Sequence, residues 1–385
     1  EMSASLVGSE MCIRDRGKGY LLVIMKICVL GTRGFPMIQG GVEKHCESLY
    51  PLFDGSIDFV VFRRKPYVNS SMTYSNIRFI DLPSTKIKGV ETIFHSFLAI
   101  IASIFHKPDI VHIHNIGPAL FSPLLHLFGI KIVLTYHSPN YEHDKWGILA
   151  KCLLRLSEKI AISASDAILF VNKFQMEKMR KSFVSICSKS YYVPNGIPAV
   201  IPTKNTDYIK SLGLSPEKYI IGVGRITPEK GFDLLIRSFE SMQNNDFKLV
   251  IVGGVETESN YFRKLKESIK TDKIIFTGYI YGEKLNQVYS HAALYVLSSY
   301  NEGFPLVLLE AMKYNLDVLV SDISATHLVT LDNQDYFKVG SASDLSLMLQ
   351  AKIKSVRKRY YDLSEFDWRK IAKQVTEIYG KVLND

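Results

Sequence analysis

From residue 25 onward the chain alternates between short apolar, β-branched runs and longer stretches with apolar residues at helical spacing. The short runs fall at 27–31, 59–62, 77–82, 110–114, 132–136 and 167–171, and helical spacing marks 42–53, 90–105 and 149–162. Near-continuous apolar strands separated by helices predict a parallel sheet covered on both faces. The segment VPNGIPAVIP at 193–202, with three prolines and a glycine, interrupts this pattern as a linker does. Strand-like runs then resume at 219–223, 248–253, 274–278, 294–297 and 318–321, and residues 367–382 read as an amphipathic helix. The pattern predicts an α/β protein: two doubly wound, Rossmann-like domains facing a central cleft, at 25–197 and 206–365, joined by a linker at 198–205.

The length of 385 residues fits two domains. A chain 47% hydrophobic and 22% charged is not disordered, fibrous or a disulfide-stapled miniprotein. Its five cysteines are scattered, with no C-x-x-C pair, which fits a reducing cytosol. No apolar run reaches the roughly 18–20 residues of a membrane-spanning helix. The net charge of +9 is unevenly placed: residues 25–197 carry +8 and residues 198–385 only +1. A basic first half fits either solubility or attraction to an anionic partner such as a lipid surface. Nucleic acid is not expected, because no basic run is interleaved with aromatics and no finger or helix-turn-helix pattern occurs. Residues 1–24 read as a non-native or disordered leader, with Met25 as the expected start and Cys12 outside any functional argument.

In open α/β sheets ligands sit beyond the carboxyl ends of the strands, so polar residues there are the candidates for chemistry. The strongest local signal is NEGFPLVLLEAM at 301–312. Pro305 suits a first helical turn, placing Glu302 in the preceding loop and Glu310 inside a helix that is apolar almost all round. A carboxylate there needs a hydrogen-bond partner: either a nearby Lys or Tyr, or the hydroxyls of a polyol such as a ribose at the cleft. In GVGRITPEKGF at 222–232, Arg225 and Lys230 put two cations at a strand–helix junction, suited to a diphosphate if they are not simply solvated. The loop at 31–43 carries Gly40 and Gly41, which let backbone approach a phosphate or sugar at a helix N-terminus. It lacks G-x-G-x-x-G spacing, and Arg63-Arg64-Lys65 follow the second strand where a dinucleotide fold wants an acid; only an NADP-dependent oxidoreductase tolerates that. His112 and His114 share one strand face, but no third ligand of convincing spacing follows and there is no D-x-D motif, so no metal is expected. His137 ends a buried strand at the cleft, as a structural or a ligand-contacting histidine.

The motifs GGVE, VPNGI, VGRITPEKG, IVGG, FTGY and EGFPLVLLEAM, in that order over residues 25–385, resemble the retaining family-4 glycosyltransferases of the GT-B fold. The opening KICVLGTRGFPMIQGGVEKH and the stretch HIHNIGPALFSPLLHLFGIKIVLTYHSPNYEHDKWG resemble a bacterial subgroup associated with rhamnosyl or other sugar transfer in surface-polysaccharide assembly. That resemblance implies roles. Glu302 and Glu310 match an E-x7-E pair, Glu302 near the reacting centre of the donor sugar and Glu310 on the nucleotide ribose. Arg225 and Lys230 match the pair that holds the donor diphosphate, His137 a histidine on the donor sugar, and Gly41 a loop glycine beside the diphosphate or acceptor. Gly40, Gly303 and Phe304 complete the implied substrate-binding set. The implied activity is transfer with retention from a nucleotide-sugar donor to a lipid-linked or polysaccharide acceptor, without cofactor, by a cytoplasmic protein at the inner face of the plasma membrane. The helix at 366–385 would cross back onto the first domain. An acidic residue common among relatives is absent at 324–329, where the chain reads SATHLV, which bears on donor-sugar choice. An NADP oxidoreductase and a non-catalytic sugar-nucleotide-binding protein are the alternatives.

Overall fold

The structure is a computed structural model. It describes residues 25–384 except 39, 69, 86, 88, 89, 140, 142–146, 198, 199, 244, 245 and 256–259, so the leader lies outside the described residues.

The apolar runs become two parallel sheets. The first contains β1 (Met25–Leu30), β2 (Ile57–Arg64), β3 (Ile77–Leu82), β4 (Ile110–His114), β5 (Lys131–Tyr136), β6 (Ala167–Phe170) and β7 (Ser190–Tyr192), in the order β3-β2-β1-β4-β5-β6-β7. The second contains β8 (Tyr219–Val223), β9 (Lys248–Val252), β10 (Ile274–Gly278), β11 (Leu294–Leu297), β12 (Asp317–Ser321) and β13 (Tyr336–Phe337), in the order β10-β9-β8-β11-β12-β13. All strand pairs are parallel, as helical crossovers require. Each sheet is buried on both faces by helices, which is why its strands are apolar without alternation.

The strand order reverses between β1 and β4 in the first sheet and between β8 and β11 in the second. These switch points open crevices at the strands' carboxyl ends, so the loops after β1, β4, β5, β8 and β11 are the ones a ligand meets. The last helix, Trp368–Asn384, belongs to the first lobe. Its Trp368, Ile371, Val375, Ile378, Tyr379 and Val382 pack with Ile27, Val29 and Phe59 of the first sheet. Gly196 admits this return, since a Cβ there would stand 2.4 Å from the Trp368 ring.

Candidate active site

In the first lobe, the loop after β1 enters the helix Gly41–Leu49 through Gly40, whose φ of 150° and lack of a side chain are both needed. A Cβ at Gly40 would stand 1.9 Å from the Glu43 carboxylate. Glu43 is buried and accepts the Arg33 backbone N–H at 3.0 Å, so one carboxylate ties the loop to the helix. Burial pushes its pKa up against that hydrogen bond. Gly41 opens the helix and is exposed, with open space around it.

Beneath this loop lies a cluster of histidines. On β4 the rings of His112 and His114 stack 4.6 Å apart, both fully buried. His112 Nδ1 lies 2.5 Å from the Tyr379 hydroxyl and Nε2 2.7 Å from Thr135 Oγ1. The Tyr50 hydroxyl bridges His112 Nδ1 at 3.1 Å and His114 Nε2 at 2.7 Å. His114 Nδ1 then meets His137 Nε2 at 3.1 Å, just past the end of β5. From the first helix His45 packs edge-on against His137, 4.9 Å between centroids, while its Nδ1 lies 2.6 Å from Asn195 Oδ1. Burial lowers the pKa of His45 to about 4 and of His112 to about 3, with repulsion from His45 adding to the latter. Burial, then the neighbouring imidazoles, holds His114 and His137 well below the ordinary value. All four are neutral at pH 7.

In the second lobe, the loops after β8 and β11 are stitched side by side. The Tyr300 N–H donates to Glu229 O at 2.8 Å, and Ser298 Oγ donates to Lys230 O at 2.9 Å. Lys230 Nζ pairs with Glu302 Oε1 at 2.6 Å, and Ser299 Oγ donates to the same oxygen at 2.7 Å. Arg225 leaves the end of β8 at the start of this loop, half-buried. Pro305 caps the helix Leu306–Lys313, one position earlier than the first turn expected for it. Glu310 on that helix accepts from the Tyr289 hydroxyl at 3.0 Å. Burial pushes its pKa up, opposed by that bond and by the Lys44 cation.

The two lobes meet at these loops. Asn172, which caps the helix Lys173–Ser182, donates from Nδ2 to Gly303 O at 2.8 Å. A Cβ on Gly303 would stand 2.5 Å from the His137 carbonyl oxygen. Glu310 faces a narrow pocket it shares with Lys44, Ser48, Gly196, Leu306 and Trp368, drawn from both lobes. The structure therefore brings the His137 backbone, Gly303, Glu302 and Lys230 into one contiguous line, while Glu310 lines the pocket between the lobes.

Other placements differ from expectation. The Phe304 side chain turns into the second core, 5.9 Å from Phe366, so its ring shapes the loop and does not face the cleft. Arg63 and Arg64, which the NADP reading needed, are buried: Arg63 binds Asp81 through two hydrogen bonds at 2.6 and 3.0 Å, and Arg64 lies 3.6 Å from Glu91. The H-x-H pair also works otherwise than its spacing suggested. His112 is engaged by Tyr379 and Thr135, and His114 instead joins His45 and His137, neither visible as a partner from spacing. Glu43, His45, Asn172 and Tyr289 were not singled out in the sequence. Glu43 and His45 had a signal: both occupy the apolar, inward positions of their helix beside Cys46 and Leu49.

Two Rossmann-like lobes with anion-suited loops at facing switch points define the class, a GT-B protein. Comparison with known proteins agrees. The helix Leu306–Lys313 and its flanking loops fall in residues 204–354, which match the family model Glycosyl transferases group 1, and residues 39–199 match Glycosyltransferase Family 4. Sucrose-phosphate synthase of Thermosynechococcus elongatus superposes with a TM-score of 0.75 at 20% identity, covering 94% of this chain and 99% of that one. HepE of Anabaena, solved with UDP and glucose, gives 0.73 at 16% identity over 93% of this chain and all of that one. The phosphatidylinositol N-acetylglucosaminyltransferase GPI3 subunit of Saccharomyces cerevisiae is 24% identical over 309 residues, 76% of this chain and 67% of the yeast protein. The chain is a glycosyltransferase of the GT-B group 1/family 4 superfamily.

Proposed function

We propose that this glycosyltransferase moves a hexosyl or deoxyhexosyl group, rhamnosyl among the candidates, from a nucleotide-sugar donor to a lipid-linked or polysaccharide acceptor, with retention of configuration. The observation that carries this reading is the line His137–Gly303–Glu302–Lys230 running across the lobe contact, together with Glu310 in a pocket lined by both lobes. The roles follow from the chemistry of each group. Glu310, a buried carboxylate already accepting one hydroxyl, is suited to accept a second from the donor ribose. Arg225 and Lys230 carry the diphosphate charge as it develops on the leaving group, Arg as a planar fork and Lys as a mobile point charge. Glu302 fixes Lys230 in place until the donor arrives. Neutral His137 contacts the donor sugar from the first lobe. With retention, acceptor attack occurs on the face the diphosphate leaves, through an oxocarbenium-like state. That the HepE structure holds UDP and glucose supports a uridine nucleotide as the first donor to try.

A thermal-shift screen of the purified chain against UDP-, GDP-, dTDP- and ADP-sugars tests the reading. One nucleotide class should raise Tm, and Glu310→Ala and Arg225→Ala should each weaken that donor by roughly 10- to 150-fold, the worth of a charge-assisted hydrogen bond of about 1.5–3 kcal/mol. Unchanged donor affinity in both variants would refute it.

The acceptor reading includes a place: bacterial surface-polysaccharide assembly at the cytoplasmic face of the membrane. Among the described residues no helix is long and apolar enough to cross a membrane. The helices Val90–His106 and Ile148–Ala164, neighbours across the turn at Gly117–Phe121, expose Phe94, Phe97, Phe105, Ile148, Leu149 and Leu156 beside Lys151, Arg155 and Lys159. Apolar side chains rimmed by cations support peripheral contact with an anionic bilayer. The yeast relative's name, a transferase to phosphatidylinositol, supports a lipid-borne acceptor.

A further inference from the structure

We propose that His45, His114 and His137 form a site for a divalent transition-metal ion of the Zn2+ type, and that the ion, by taking His137, withholds it from the donor sugar. The second half rests on the role given to His137 above; the first does not. One nitrogen from each of the three residues lies within 4.8 Å of the others, although they come from the first helix, from β4 and from the end of β5. The hydrogen bonds around them decide which nitrogens are available. Asn195 Oδ1 can only accept, so at 2.6 Å it fixes the proton of His45 on Nδ1 and leaves a lone pair on Nε2. That Nε2 is buried and has no hydrogen-bond partner, an arrangement native interiors rarely leave without a purpose. Tyr50 engages Nε2 of His114 at 2.7 Å and so leaves Nδ1 facing His137 Nε2 at 3.1 Å.

Two imidazole nitrogens 3.1 Å apart stand close to the spacing of two ligands on one zinc, roughly 3.3 Å for tetrahedral Zn–N bonds of about 2.0–2.1 Å. The third donor, from His45, lies within 4.8 Å of the other two. Metal-bound histidines almost always donate their other ring N–H to an oxygen, and Asn195 and Tyr50 supply those oxygens here. A set of three neutral nitrogens selects Zn2+, Co2+, Ni2+ or Cu2+ over the hard cations Mg2+ and Ca2+. His137 is the least buried of the three.

The test uses the full chain stripped with EDTA and titrated with Co2+, read by its visible d–d absorption, then with Zn2+ in competition. Wild type should bind one ion per chain, with Mg2+ unable to displace it. His45→Asn and His137→Asn, checked for native melting first, should each lose at least about 10-fold in affinity. No Co2+ spectrum in wild type, or full affinity in a folded His45→Asn variant, overturns the site. Saturating Zn2+ should also abolish sugar transfer by wild type while His45→Asn needs correspondingly more ion. One ion bound with transfer unaffected overturns the coupling to His137 and, with it, that residue's place on the donor sugar, while the donor shifts seen with Glu310 and Arg225 variants would stand.

Discussion

Glu310 shows at single-residue scale how a binding group and a stability defect coincide. Its raised pKa means that folding disfavours the ionised carboxylate, so the native state gains stability as pH falls through that pKa and is strained above it. Glu310→Gln keeps an acceptor for Tyr289 and removes the buried charge. The variant should melt higher than wild type at pH 7 in a calorimeter yet bind donor at least about 10-fold more weakly. Wild-type donor affinity should decline on acidification through the raised pKa, and the Gln variant should lose that dependence. The histidines run the opposite way. His45, with its pKa lowered from 6.5 to about 4, gives stability that is complete above pH 6.5 and is lost as pH falls toward 4. His112 does the same down to about 3. Tm measured across pH 4 to 7 should therefore fall steeply on the acid side, and less steeply in His45→Asn. A flat profile would show that these rings titrate normally. The burial of Glu310 and its need for a Lys or Tyr partner were legible in the sequence, and the structure supplies Tyr289; the histidine network was not, since the sequence marks His45 only as a polar residue on an apolar face.

Between residues and lobes stand the elements, and here the sequence was most readable. A fully covered parallel strand must be apolar along its whole length, so β1, β4, β5 and β8 announce themselves. The edge strands β7 and β13, three and two residues long, did not, because so short a half-exposed run shows no period. Loops at the switch points were legible as places, through the polar residues that end apolar strands. Their mutual contacts were not, because Lys230 to Glu302 and His137 to Gly303 span 72 and more than a hundred positions of chain, beyond the reach of any local pattern. Gly303 is the point where the two lobes touch at the site. Its missing Cβ faces a backbone oxygen that no rotamer change can move aside, so Gly303→Ala must push the loop from β5. We expect transfer to drop by roughly 10- to 150-fold, the equivalent of about 1.4–3 kcal/mol of overpacking, with a smaller change in Tm because the strain is relieved by separating the lobes. Steady-state kinetics beside a melting curve will distinguish this from simple unfolding, which would lower both together.

At the scale of the molecule, charge and apolar surface are concentrated in one lobe. The first half carries nearly all the net positive charge and also the exposed Phe94, Phe97, Phe105, Ile148 and Leu149. Co-sedimentation with vesicles should show binding to anionic phosphatidylglycerol bilayers, little to phosphatidylcholine, and loss of binding in Phe94→Ser/Ile148→Ser. Equal partitioning to both lipids would mean that the apolar face alone is responsible. Salt should weaken the anionic preference, since the cations at Lys151, Arg155 and Lys159 are screened over about 8–10 Å at physiological ionic strength.

The return of the helix Trp368–Asn384 to the first sheet has a consequence for how the chain matures. Its seven buried side chains finish a core whose other members lie between Ile27 and Val193, all of them translated before the second lobe. Domains ordinarily condense in the order they leave the ribosome. Here the lobe that emerges first keeps one face of its sheet bare until the last helix is made, so its final packing follows synthesis of the whole second lobe.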